Sequence, residues 1–146
     1  MIGILKSQLL KFIYPLDYHF EKEEIFKNEI VTKYTSYEVI YKLSPAIRKI
    51  SFSVVDYYTH LRVSFFIYNT DGEPHTTLRL DRYLEEYCNV KDAKNIMLLD
   101  QYLGKTTEQK ISCFFTHIKG YLNDRFFEIL LGKDWVEIPT DWGDYK

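Results

Sequence analysis

The chain has 146 residues, which suits one domain of ordinary size rather than two, so residues 1–146 are read as a single unit. Surface scaling for this length gives about 8,000 Å² accessible when folded against about 25,500 Å² unfolded, enough burial for a core without metal or disulfide staples. At 46% hydrophobic and 27% charged the composition is globular, six Gly and four Pro exclude collagen-like and Pro-rich chains, and 19 Lys and Arg against 21 Asp and Glu leave a net charge of −2. A nucleic-acid binder draws its nonspecific affinity from basic groups that displace counterions, and that excess is missing here.

The first segment, Ile4 to Ile13, sets Leu5, Leu9, Phe12 and Leu16 on one helical stripe. Pro15 stops it, because the residue before a proline avoids the α region. The apolar run from Ile2 to Leu10 is broken by Lys6, Ser7 and Gln8, too short to span a bilayer and without the basic start of a secretory signal. It reads as a folded helix of a cytoplasmic protein. The charged stretch from His19 to Asn28 is left open between helix and loop.

From about Asn28 the period changes to two. Four strands are expected: Glu29 to Tyr34, with a turn at Thr35-Ser36, then Tyr37 to Leu43, Arg48 to Val55 and Leu61 to Tyr68. In the third, Ile50, Phe52 and Val54 alternate with Lys49, Ser51 and Ser53. Short connections favour antiparallel hairpins, and Asn69 to Gly72 reads as a turn.

The second half is helical in pattern, with short helices over Leu80–Tyr87 and Ala93–Leu103. A long helix is expected over Thr107–Leu131, opened by a Thr106/Gln109 capping box and closed at Gly132. Its stripe of Ile111, Phe115, Ile118, Leu122, Phe126 and Ile129 would cover one sheet face. The expected fold is therefore α+β: an antiparallel sheet of about four strands, covered by a long C-terminal amphipathic helix, with an N-terminal helix.

No pattern of residues sets up a known chemistry. His19, His60, His75 and His117 lack HxxxH or HExxH spacing, and Cys88 and Cys113 form no CxxC, so no metal or cofactor is expected. Cys113, among Ile111, Phe114 and Phe115, reads as a small buried apolar residue. An EF-hand alignment on Gly72 would put Ile67 and Leu78 where acids are required, and fails. Phosphate-loop, dinucleotide and hydrolase signatures are absent from the sequence. Asp81 with Glu85, or Glu85 with Glu86, are the carboxylate pairs an enzyme would offer, alongside His75. Arg48, Lys49, Arg62, Arg79 and Arg82 are the groups nucleic acid would meet.

Aromatics are abundant, at 17% of the chain, and two clusters fall where a core does not obviously need them. Asp56-Tyr57-Tyr58-Thr59-His60 forms the tip joining the third and fourth strands, and Trp142 lies in the acidic tail beyond Pro139. Tyrosine and tryptophan supply interface area at little entropic cost. With Asp71 and Glu73 these residues make the candidate partner-binding patch: Asp56, Tyr57, Tyr58, Asp71, Glu73 and Trp142.

Three further segments carry a family likeness: Lys33-Tyr34-Thr35-Ser36, Leu80-Asp81-Arg82-Tyr83-Leu84, and Phe127-Glu128-Ile129-Leu130-Leu131-Gly132-Lys133-Asp134-Trp135. Their order resembles small bacterial α+β proteins grouped with immunity and antitoxin-like proteins. That resemblance implies a non-enzymatic cytoplasmic protein that neutralises a toxin by stoichiometric binding. A small enzyme or ligand binder, with its site between sheet and helices, is the rival reading.

Overall fold

Alternation of large apolar residues with small or charged ones along consecutive segments builds a sheet with two unlike faces. The structure, a computed structural model, describes residues 1–43, 47–70 and 76–138. Helix α1 (Ile2–Ile13) leads into strands β1 (Tyr18–Asn28), β2 (Tyr34–Leu43), β3 (Arg48–Asp56), β4 (Leu61–Asn69) and β5 (Thr76–Arg79). They form one antiparallel sheet in the order β1-β2-β3-β4-β5. Helices α2 (Leu80–Tyr87), α3 (Ala93–Ile96), α4 (Thr107–Lys119) and α5 (Asp124–Leu130) follow, with a 3-10 turn at Leu99–Gln101.

The register aligns apolar rows across the strands. Tyr41, Ile50, Ile67 and Leu78 form one row, Val39, Phe52 and Phe65 the next, and Tyr37, Val54 and Val63 a third. The helices pack on this face through a continuous set of rings. Phe12 of α1 stacks on Phe115 of α4 at 4.7 Å, Phe115 meets Phe52 at 5.1 Å, and Phe126 of α5 reaches Tyr83 of α2 at 5.3 Å. Leu5, Leu9, Phe52, Tyr83, Phe114, Ile118 and Phe126 are fully buried here. Each such side chain contributes about 1.5–3 kcal/mol by leaving water.

The expected α+β class and the N-terminal helix stand, but the sheet has five strands, not about four. The stretch Glu29–Lys33 is the β1–β2 turn, where Asn28 Nδ2 donates to the carbonyls of Ile30 and Thr32 at 2.9 and 2.7 Å. The strand itself lies upstream, in the charged segment whose class the sequence left open. Thr35 and Ser36 are strand residues, paired with Asp56 and Val55. The additional β5 pairs with Phe66–Asn69.

The long C-terminal helix is two helices. Gly120 caps α4, and Asn123 opens α5 by accepting the Phe126 N–H on its side-chain oxygen at 3.2 Å. The apolar stripe runs on because both helices face the same core. The expected capping box is present, and α5 ends as a Schellman motif: Gly132 N–H donates to the Ile129 carbonyl and Lys133 N–H to that of Glu128. Gly132 has φ +81°, and a Cβ there would collide with the Ile47 side chain. The segment 93–103 is broken because it serves the sheet: Val63 N–H donates to the Met97 carbonyl, and Arg62 and Leu98 form an isolated bridge. Cys113 is exposed rather than buried, since the core takes Ile111, Phe114 and Phe115 from the other side of α4.

Arg48 opens β3 and is 4% exposed. Its Nε donates to the Ile129 carbonyl at 3.0 Å, its two terminal nitrogens to Asn69 Oδ1 and the Asp134 carbonyl at 2.8 Å each, and its plane lies 4.9 Å from the Trp135 ring. A lysine cannot reproduce this fork. Arg48→Lys is expected to lower unfolding free energy by about 3 kcal/mol or more, because several buried carbonyls lose a charged donor. Urea denaturation measures it.

Two buried phenols and one half-buried phenol each donate a hydrogen bond: Tyr18 to the Leu130 carbonyl (2.6 Å), Tyr83 to Asn123 Oδ1 (2.6 Å) and the half-buried Tyr102 to the Ile96 carbonyl (2.7 Å). Burial pushes Tyr83 up to about 12 from 10.0, and moves Tyr18 and Tyr102 in the same direction. Above pH 10 the unfolded chain sheds protons that the folded chain keeps. Stability complete below pH 10 therefore falls as pH rises towards about 12. Urea midpoints measured on both sides of pH 10 should fall with rising pH, and Tyr83→Phe should reduce the slope.

Candidate functional site

The same alternation that sends Val63, Phe65 and Ile67 into the core sends Arg62, Ser64, Phe66 and Tyr68 to the opposite face. There the register sets Arg62 beside Val55, Ser64 beside Ser53 and Phe66 beside Ser51. Ser51 and Ser53 are buried beneath larger neighbours, and Ser51 Oγ donates to Glu38 Oε2 at 2.6 Å. Burial, with the Glu38 carboxylate second, raises the Tyr68 phenol above its ordinary range. Among the described residues no helix packs on this open face.

At one end of the face four rings line up across the strands. Phe26 lies 6.0 Å from Tyr34, Tyr34 5.7 Å from Tyr57, and Tyr57 stacks on His60 at 4.8 Å. The β3–β4 turn that carries two of these rings is built locally. Tyr57 N–H donates to the His60 carbonyl at 3.0 Å, and Asp56 Oδ1 accepts the Tyr58 N–H at 2.8 Å. Tyr58 takes φ +70°, stays exposed, and its hydroxyl sits 3.3 Å from Thr35 Oγ1.

Beside Tyr57 the sheet edge opens into a cleft of about 360 Å³. Its existence follows from the strand lengths. The four residues of β5 pair only with the C-terminal half of β4, and the rest of that edge is finished by residues 97–100, where Asp100 Oδ2 also accepts the Leu61 N–H at 3.0 Å. Arg62, Ser64, Phe66, Arg79 and Asp81 line the space between. Asp81 is buried and clamps Arg79 with both oxygens, at 3.1 and 2.6 Å. The cleft therefore lies at the sheet edge, while the space between sheet and helices is filled by the rings of the core.

Other residues singled out by the sequence are placed as follows. Asp56, Tyr57 and Tyr58 sit together at the turn, while Asp71, Glu73, His75 and Trp142 lie outside the described residues. The strand ends that lead into 71–75, Asn69 and Thr76, pair with each other at the far end of β4 from that turn. Asp81 and Glu85 do not share a site: Asp81 is held by Arg79, whereas Arg82 bridges Glu85 at 3.2 Å and Glu86 at 3.4 Å. Lys49 pairs with Glu21 at 3.0 Å and Arg48 is internal, so of the five basic side chains only that of Arg62 has no hydrogen bond or ion pair among the described residues. His117 Nδ1 lies 3.1 Å from the Tyr102 hydroxyl, as a core-edge histidine. No group of three or more His, Cys, Asp or Glu among the described residues is placed to hold a metal, and no described helix is long and apolar enough to cross a membrane.

Phe26, Tyr34 and Ser64 belong to this surface and were not anticipated, whereas His60 lies in the tip segment that was. Their signal is positional: pairing β3 with β4 through the 57–60 turn assigns every residue of both strands to a face. Comparison of the chain with protein-family models, with curated proteins and with solved structures finds no match.

A non-glycine residue at positive φ costs about 1–3 kcal/mol, and Tyr58 supports no core contact. Tyr58→Gly should therefore hold or raise the melting temperature, by a margin equivalent to at most about 1 kcal/mol. A thermal melt by circular dichroism measures it.

Proposed function

We propose that the chain is a non-enzymatic protein-binding module, acting in the cytoplasm as an immunity protein does, by covering the working surface of a toxin in a one-to-one complex. One observation carries the reading: a row of four rings crosses an uncovered sheet face and ends beside a cleft that presents an uncommitted arginine. Aromatic residues and arginine dominate binding energy at protein interfaces, above all where a pocket desolvates them. Tyr57 is the centre of this surface, since it belongs to both the row and the cleft, and Arg62 selects a partner with a carboxylate or a carbonyl cluster at the contact. The acids first singled out contribute unequally: Asp56 shapes the turn through the Tyr58 N–H.

The test is titration calorimetry against the protein encoded beside this one. A one-to-one complex is expected, with Tyr57→Ala and Arg62→Ala each weakening it by about 2 kcal/mol, or thirtyfold. A complex unaffected by both changes would move the site elsewhere, and loss of the partner's toxicity only when the complex forms would establish neutralisation.

The size of the cleft favours a second reading, a small-ligand site, because about 360 Å³ lies within the range of such pockets. It predicts saturable binding of a small anion that Arg62→Ala removes while the protein complex survives.

A further inference from the structure

Strand β1 forms one edge of the sheet and is its longest strand, at 11 residues. An edge strand offers unpaired backbone donors and acceptors, which proteins usually guard by shortness, bulges or charge. Here the guard is partial. A bulge between Phe20 and Lys22 disrupts the first part of β1, while Lys22 to Asn28 runs in unbroken register with β2. Of the ten large hydrophobic residues left exposed among the described residues, five lie on β1 and its turn: Phe20, Ile25, Phe26, Ile30 and Val31. Ile25 is 62% exposed and Val31 99%.

We infer that the chain forms a twofold dimer in which β1 pairs antiparallel with β1 of a second copy, joining two five-stranded sheets into one. The charge pattern specifies the register. The midpoint of the unbroken stretch is Ile25, and a twofold axis there sets Ile25 against Ile25 and Glu23 against Lys27 of the other copy, twice by symmetry. Glu23 and Lys27 project from the same face, because their β2 partners Val39 and Thr35 do. The neighbouring registers that keep the faces matched are worse. Centring on Glu24 sets that carboxylate against itself, and centring on Phe26 brings no opposite charges together.

Glu23 and Lys27 are available for this. Each now pairs only at the exposed surface, with Lys6 at 2.9 Å and Glu29 at 3.2 Å, and such pairs contribute little. The axis also places Phe26 of each copy diagonally across the junction on the open face, within reach of aromatic side chains. The inference does not depend on the binding role proposed above.

Sedimentation equilibrium over a concentration series tests it. The unmodified chain should rise from its mass of 17.6 kDa towards twice that value. Glu23→Lys and Lys27→Glu should each raise the dissociation constant by about tenfold, and the double variant should return to within about threefold of the original. Because the double variant leaves Lys6 and Glu29 facing like charges, recovery reports the pairing between copies. Hydrogen exchange should show protection that grows with concentration at the alternate amides of 22–28 that do not already donate to β2. A chain monomeric throughout the series, single variants that associate unchanged, or a double variant that melts normally yet fails to recover would each overturn the dimer.

Discussion

One buried guanidinium sets the terms for the rest of this molecule. Arg48 begins β3, yet its donors end on the last turn of α5, on the tail after it and on the final residue of β4. Taking such a charge out of water costs several kcal/mol unless each donor finds an acceptor, so the segments that supply the acceptors have to arrive together. The acceptors are suited to a cation. The Ile129 carbonyl lies at the C-terminal end of α5, the negative end of the helix dipole, and takes the guanidinium as a second donor beside the Gly132 N–H. The Schellman turn at Gly132 then brings Asp134 and Trp135 back over the guanidinium. Sheet, helices and tail are fastened at one corner by a residue whose long stem also packs against the core.

Fastening one corner leaves the layers asymmetric. All the described helices spend their apolar faces on the same side of the sheet, so the described part of the other side has to be tolerable without a helix over it. Serines at the centre of that side, shielded by Glu38, Phe66 and Tyr68, meet this need without offering a greasy plane. The ring row occupies one end of this side, and five of the ten exposed large hydrophobic residues among those described lie along the β1 edge and its turn. The ring row and the cleft lie at the margins of the sheet because its middle is given over to packing below and small polar residues above.

Much of this arrangement was legible in the residues. Period-two alternation marks β2, β3 and β4 because their inner faces are wholly buried, and the Thr106/Gln109 box and Gly132 mark helix ends by the hydrogen bonds they make. β1 was hidden because its burial pattern barely alternates: it reaches past the helices, and charge guards it. The break between α4 and α5 was hidden because Gly120 and Asn123 interrupt the backbone but not the stripe. Of the site, the Asp56–Tyr58 turn could be read from composition, whereas the ring row and the cleft depend on register, which a list of residue types does not contain. Arg48 illustrates the same limit, since a basic residue beside Lys49 looks like surface until Ile129 and Asp134 are brought to it.

The far edge of the sheet has its own consequence. Half of β4 is finished by a loop, residues 97–100, instead of a strand. A strand there would have to keep a ladder of hydrogen bonds in step, whereas a loop attached at a few points is free to vary in outline. Only its outward positions share that freedom, because Met97 and Leu99 are buried in the core: the rim of the cleft and part of the core are built from alternate residues of one short stretch.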